Sequence, residues 1–176
     1  MLCLNLLKKP KLMRLFGNFI LIIGLLLIYS CAEQDEFERQ KLIGTWENSF
    51  YSESLNLDHV KVYYFGNNGN YINYTGFKVP GGSNFLGYTM YLEGTYTLSG
   101  NTILLKEEKH LANLGHDTYT EKENLTEIEK IGEIPGSLAF KEKGSVLEIT
   151  IPCSDLLSSI CIPSTNYNRL NTISHF

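Results

Sequence analysis

From Tyr88 to Ser99 the chain alternates between two faces. Tyr88, Met90, Leu92, Gly94, Tyr96 and Leu98 fall on one, and Thr89, Tyr91, Glu93, Thr95, Thr97 and Ser99 on the other. A period of two sustained over this length predicts a strand, because helical side chains recur about every 3.6 residues. Gly94 in its middle predicts a bend or bulge of the kind barrels need. Shorter segments repeat the theme. Gly44-Thr45-Trp46 opens a first strand that continues through Asn48, Phe50 and Tyr51. The β-branched and aromatic run His59–Phe65 is followed by Gly66-Asn67-Asn68-Gly69-Asn70 and then by Tyr71–Phe77. Asn-Gly between two such runs predicts a hairpin, since both residues tolerate positive φ. Val79–Asn84 reads as a loop. Ser99-Gly100-Asn101 turns the chain into Thr102–Lys106, a second hairpin.

The later segments follow suit. Ser137–Phe140, the turn Lys141–Gly144 and Val146–Ile151 predict a third hairpin with Leu147, Ile149 and Ile151 facing inward. Asn166–Leu170 reads as a closing strand. Two stretches are less regular. Glu107–Asp117 reads as a longer connection carrying His110 and His116. Tyr119–Ile131 is charged; Leu125, Ile128 and Ile131 keep helical spacing, but the segment is assigned as exposed strand. Asp35–Ile43 predicts a short helix or turn leading into the domain. The sum is all-β: about eight to ten short antiparallel strands in sequential hairpins. Such a meander closes as an up-and-down barrel or stacks as a β-sandwich, since an open sheet leaves its edges unpaired.

The first thirty residues have a different character. Phe19–Tyr29 is an apolar run too short for a membrane span, which needs roughly twenty residues. Lys8, Lys9, Lys11 and Arg14 precede it, and small Ser30 stands before Cys31. Met13-Arg14-Leu15-Phe16 would make a shorter, more typical start. With Ile28 at −3 and Ser30 at −1, the stretch resembles a bacterial lipoprotein signal, although Tyr29 departs from the usual small residue at −2. The resemblance implies cleavage after residue 30, diacylglycerol on Cys31 and attachment through acyl chains. The acidic run Glu33–Glu38 is similar to the surface-export signal of Bacteroidota lipoproteins and serves equally well as a solvated tether over residues 31–40.

Charge and cysteines fit this organisation. The signal holds four of the fifteen basic residues and none of the nineteen acidic ones, so the mature chain carries a formal −8. An acidic chain without basic clusters excludes nucleic acid as an expected partner, and leaves lipid rather than charge to hold the protein at a membrane. Cys3 is lost with the signal and Cys31 is used by the lipid. Cys153 and Cys161 remain as an even pair in an oxidising compartment, which predicts a disulfide. Chain entropy assigns so short a loop at most about 2–3 kcal/mol.

Candidate chemistry is sparse. His110 and His116 lie six apart without further ligands and read as exposed loop residues. Glu107 and Glu108 point to opposite faces if extended and read as a solvated loop mouth. There is no Gly-x-Ser-x-Gly, His-Glu-x-x-His or phosphate loop. No catalytic residue, metal or cofactor is therefore assigned, and the expectation is a non-enzyme. Tyrosine is more suggestive. Tyr64, Tyr74, Tyr88 and Tyr96, with Trp46, would line one cavity if the strands pair in sequence; otherwise they fill a small barrel or its outer face.

Several of these segments together resemble the lipocalin-like lipoproteins of Bacteroidota. They are Leu42-Ile43-Gly44-Thr45-Trp46, the Phe65 to Tyr71 hairpin, Gly94–Ile103, Leu147-Glu148-Ile149 and Tyr167-Asn168-Arg169, which together run through most of residues 41–170. The resemblance implies a calycin-type barrel over residues 41–176, with the tryptophan packed at one end. It implies an outer-membrane lipoprotein, periplasmic or surface-exposed, that holds a small apolar or amphipathic ligand. The alternative is a structural or accessory subunit of an envelope complex.

Overall fold

The protein is described by a computed structural model covering residues 38–152 and 164–170. The signal, Cys31, the tether up to residue 37, Cys153 and Cys161 lie outside the described residues. The strands are β1 (Gly44–Ser52), β2 (Leu57–Phe65), β3 (Asn70–Lys78), β4 (Phe85–Ser99), β5 (Thr102–Ala112), β6 (Thr126–Glu127), β7 (Glu133–Lys141), β8 (Val146–Thr150) and β9 (Ser164–Arg169). They form one antiparallel sheet. Its order β4-β3-β2-β1-β9-β8-β7-β5-β6, with β4 also paired to β5, brings eight strands round into a ring. The two-residue β6 is appended to the end of β5. Closure into one up-and-down barrel rules out the sandwich alternative, and it removes the sheet edges that an open meander would expose.

The β1–β9 joint is the narrowest, with only Trp46 opposite Arg169 and Glu47 opposite Asn168. Other contacts reinforce it. The Leu170 amide donates to the Thr45 carbonyl at 2.9 Å, and the Asn48 amide group to the Asn166 carbonyl at 2.9 Å. Residues 38–42 form the expected helical turn. Its Leu42 carbonyl accepts from Trp46 Nε1 at 2.8 Å. The Arg169 guanidinium lies 4.7 Å over the Trp46 ring and donates to the carbonyls of Lys41 and Ile43. Trp46 and Leu42 are both fully buried. The tryptophan is thus pinned between the helical turn and the last strand, and it seals one end of the barrel.

Around the ring, the pairing register aligns the inward faces. Trp46, Tyr63, Asn73, Leu92 and His110 succeed one another from β1 to β5, and Phe65, Tyr71, Gly94 and Glu107 form the next layer. The aromatic and aliphatic core joins Trp46, Phe65, Tyr71, Tyr96, Ile103 and Leu147, with Leu138, Ile149 and Tyr167 from the far wall. This packing concentrates at the end carrying the β2–β3, β4–β5 and β7–β8 hairpins. The connections after β1, β3 and β5 lie at the other end.

Among the described pairings of β3, β4 and β5 three register shifts set which residues face inward, and two of them bear on the site. Between β4 and β5, Glu93 pairs with Lys109 but Gly94 pairs with Glu107, so Glu108 is the extra residue. Gly94 is required there: a Cβ on it would stand 2.0 Å from the Lys106 carbonyl oxygen and 2.8 Å from the Tyr71 ring. Between β3 and β4, Thr75 pairs with Met90 and Gly76 with Tyr88, so Thr89 is extra. This second bulge moves Tyr88 off the face of Met90, Leu92, Gly94 and Tyr96 on which simple alternation puts it.

The region after Lys106 also corrects the sequence reading. β5 does not end there but continues to Ala112, so Glu107 and His110 are strand residues. The predicted strand over 119–131 is mostly irregular. It contains a single bridge from Thr120 to Tyr88, a short 3-10 turn at Lys122–Asn124, and β6. The third hairpin and the closing strand stand as expected, with Leu147 and Ile149 buried.

Candidate functional site

The bulge at Glu108 gives the barrel its most unusual feature. On a regular strand, residues three apart point to opposite faces. The extra residue reverses the alternation, and both Glu107 and His110 turn into the interior. The Glu107 side chain is fully buried and that of His110 is 9 % exposed. Their reading as a solvated loop mouth and an exposed loop histidine is therefore wrong; Glu108 and His116 are the exposed ones.

The pair is only partly satisfied. Glu107 Oε2 accepts a hydrogen bond from the Ile131 amide at 2.8 Å and lies 3.5 Å from His110 Nδ1. The strap after β6 is tied down beside it: the Glu107 amide donates to the Gly132 carbonyl, and the Ile128 amide to the His110 carbonyl. Glu107 Oε1 has no hydrogen-bond partner among the described residues, nor does His110 Nδ1. A buried polar group left this way costs about 1–3 kcal/mol.

The surrounding wall mixes polar tips with apolar surface. Asn73 is buried and donates to the Val62 carbonyl at 2.9 Å. Burial, and then the charge of Glu107, hold the hydroxyls of Tyr63 and Tyr71 well above the usual phenol range. Tyr167 is raised likewise by burial and then by Tyr63. Nearer the loop end, Lys61 faces inward between Asn48 and Thr75, with its ammonium 5.8 Å from the Tyr63 ring centre. Burial lowers its pKa. His59 stands beyond it between Phe50, at 4.8 Å, and Phe77, at 5.1 Å. Its Nδ1 is buried and also without a hydrogen-bond partner among the described residues. Burial, and then the Lys61 charge, lower its pKa. Among the described residues, no three His, Cys, Asp or Glu side chains gather as a metal site.

The residues expected to line a cavity are distributed otherwise. Trp46 and Tyr96 do point inward, but into the packed end, where the Tyr96 hydroxyl donates to the Gly66 carbonyl at 2.8 Å. Tyr64, Tyr74 and Tyr88 stand on the outer face, by the register of β2, β3 and β4. Tyr74 and Tyr88 belong to an external aromatic cluster with Phe85 and Tyr91, at centroid separations of 4.7 to 5.8 Å. Lys122 clamps this cluster 3.6 Å above the Tyr91 ring and reaches Glu93 at 3.2 Å. Burial works to raise the Glu93 carboxyl, but the hydrogen bonds from Tyr91 and Lys122 outweigh it and leave its pKa lowered.

The interior residues that sequence reasoning missed are Glu107, His110, Asn73, Lys61 and His59. One signal bore on them, the glycine at 94, which marks a bulge without saying which strand carries the extra residue. Comparison of the chain with protein-family models, curated proteins and solved structures gives no match.

Proposed function

We propose that this chain is a lipid-anchored envelope protein whose lipocalin-like barrel carries one small amphipathic ligand against the interior wall that holds Glu107, His110, Lys61 and His59. The observation that carries the reading is the set of buried, unpartnered polar atoms on Glu107, His110 and His59. A barrel that served only as a scaffold would gain stability by filling those positions with apolar side chains. Polar groups placed among Tyr63, Leu92, Phe77 and Met90 suit a molecule with a polar head and an apolar body. An eight-stranded barrel has room for its own side chains or for one such molecule. The lipobox-like Ile28 to Cys31 stretch supports the anchor, with an outer-membrane location, on the periplasmic or the surface side. No catalytic step is assigned to the Glu107–His110 pair in this reading.

The test is mass spectrometry of the full protein purified from its membrane in mild detergent. It is expected to show acyl mass on Cys31 and a co-released small molecule, the latter lost when Leu92→Trp fills the space beside the Glu107–His110 wall. An unmodified N-terminus would remove the anchor. A folded protein that binds no amphiphile under any loading would remove the carrier.

One observation favours a second reading, an accessory subunit of an envelope complex. Among the described residues, Phe50, Tyr51, Leu55, Val79, Leu114 and Ile131 are the large hydrophobics that remain exposed, and all six lie at or near the connections of the loop end. An apolar rim there serves ligand passage or partner contact. Polar replacement of Leu55 and Leu114 separates the two: it releases a stable partner in the second case and leaves ligand content unchanged in the first.

A further inference from the structure

We infer that Glu107 is the recognition point for a protonated primary amine on the ligand. This rests on the carrier reading and narrows the ligand to a chemical class. Three features of the site lead to it. Glu107 Oε2 is already engaged by the Ile131 amide and faces His110, whereas the buried Oε1 has no donor among the described residues. An ionised carboxylate only accepts, so its missing partner is a donor. The register places Lys61, an inward-facing cation, two layers away, level with Thr75 and Met90, while Glu107 lies level with Tyr71 and Gly94. Among the described residues, Lys61 forms no ion pair with Glu107.

The alternatives fit less well. A carboxylate or phosphate head would bring a second negative charge against a buried one. A neutral hydroxyl would supply a hydrogen bond to Oε1 but add no positive charge to what His110, 3.5 Å from Oε2, offers when protonated. An ammonium does both, and a charge-assisted hydrogen bond is roughly twice as strong as a neutral one. The phenol groups of Tyr63 and Tyr71 lie within the field of Glu107 and offer further oxygen acceptors to the same head group. The apolar body of the ligand then extends past Leu92 and Met90 towards the loop end, where the rim is apolar.

The experiment is isothermal titration calorimetry of the full chain in non-ionic detergent at neutral pH, with n-hexylammonium, n-hexanol and n-hexanoate as probes. Hexylammonium is expected to bind at least about tenfold more tightly than either of the others. Glu107→Gln is expected to remove that advantage while leaving hexanol unchanged. Lys61→Gln is expected to preserve the ranking. Hexanoate binding tightest, or a hexylammonium advantage that survives Glu107→Gln, overturns the inference and leaves the carrier intact. If none of the three probes binds, both fall. The wild-type ranking is decisive by itself should the Glu107 variant fail to fold.

Discussion

Two regions built on the same eight strands, the surroundings of Trp46 and the Glu107–His110 wall, satisfy their polar groups in opposite ways. At the Trp46 end, polar tips meet backbone acceptors: Trp46 Nε1 on Leu42, the Tyr96 hydroxyl on Gly66, the Arg169 guanidinium on Lys41 and Ile43. Glu107 and His110 each leave one buried polar atom without a partner among the described residues, and His59, nearer the loop end, leaves a third. The first arrangement is what a protein core requires, because each unmatched group there costs stability. The second carries that cost, which a ligand able to complete the set would offset. The proposed division, with stability centred on Trp46 and recognition on Glu107, is one that mutations can test.

The largest expected effect belongs to the packed end. Trp46→Ala removes a fully buried ring, its hydrogen bond and the platform under Arg169, and should cost about 4 kcal/mol in equilibrium denaturation. A loss below about 1 kcal/mol would show that the seal is not where stability resides. Next is Gly94→Ala. Its Cβ would sit 2.0 Å from the Lys106 carbonyl oxygen, so the backbone at the bulge must move, at about 2–3 kcal/mol. Because the same bulge turns Glu107 inward, this variant should also weaken ligand binding more than Trp46→Ala does at matched stability.

The Glu107–His110 wall should respond weakly in stability. Glu107→Gln keeps an oxygen for the Ile131 amide and exchanges the unpartnered carboxylate oxygen for a neutral amide NH2, so its folding free energy should change by less than about 1 kcal/mol. A loss of about 3–5 kcal/mol, as expected on breaking a buried ion pair, would instead make Glu107–His110 a structural element and erase the contrast with the Trp46 region.

The smallest effect is one of pH. His59 is held below the ordinary histidine value by burial and then by Lys61. The unfolded chain therefore binds this proton more readily than the folded one. Stability from this group is full above the ordinary pKa of about 6.5 and declines as pH falls through it. His59→Phe should flatten the acid side of a plot of thermal midpoint against pH relative to wild type. Identical slopes for the two proteins would show that His59 carries no such linkage.

Much of the fold was legible from local signals. The alternation along β4, the Asn-Gly turn after Phe65 and the hairpin around Lys141–Gly144 specify strands and turns through contacts close in sequence. The site was not legible, for a local reason with a non-local cause. A single extra residue reverses every inward and outward assignment beyond it. In β5 that residue is Glu108, opposite Gly94, and its position depends on how β4 and β5 pair. The same applies to Tyr88, which the bulge at Thr89 carries to the outer face. Tyrosine content suggested a cavity wall, but the fold spends those rings on the seal and on the outer cluster.

Sequence alone determined the strand-rich class and the hairpin order, and it carries the resemblance of residues 19–31 to a lipoprotein signal, because side-chain alternation, turn chemistry and an apolar run are properties of neighbouring residues. Only the tertiary structure decided that the sheet closes on itself between β1 and β9, and that Glu107 and His110 share its interior. Those outcomes depend on pairing register between strands distant along the chain, where one residue of slip separates a buried carboxylate from an exposed one.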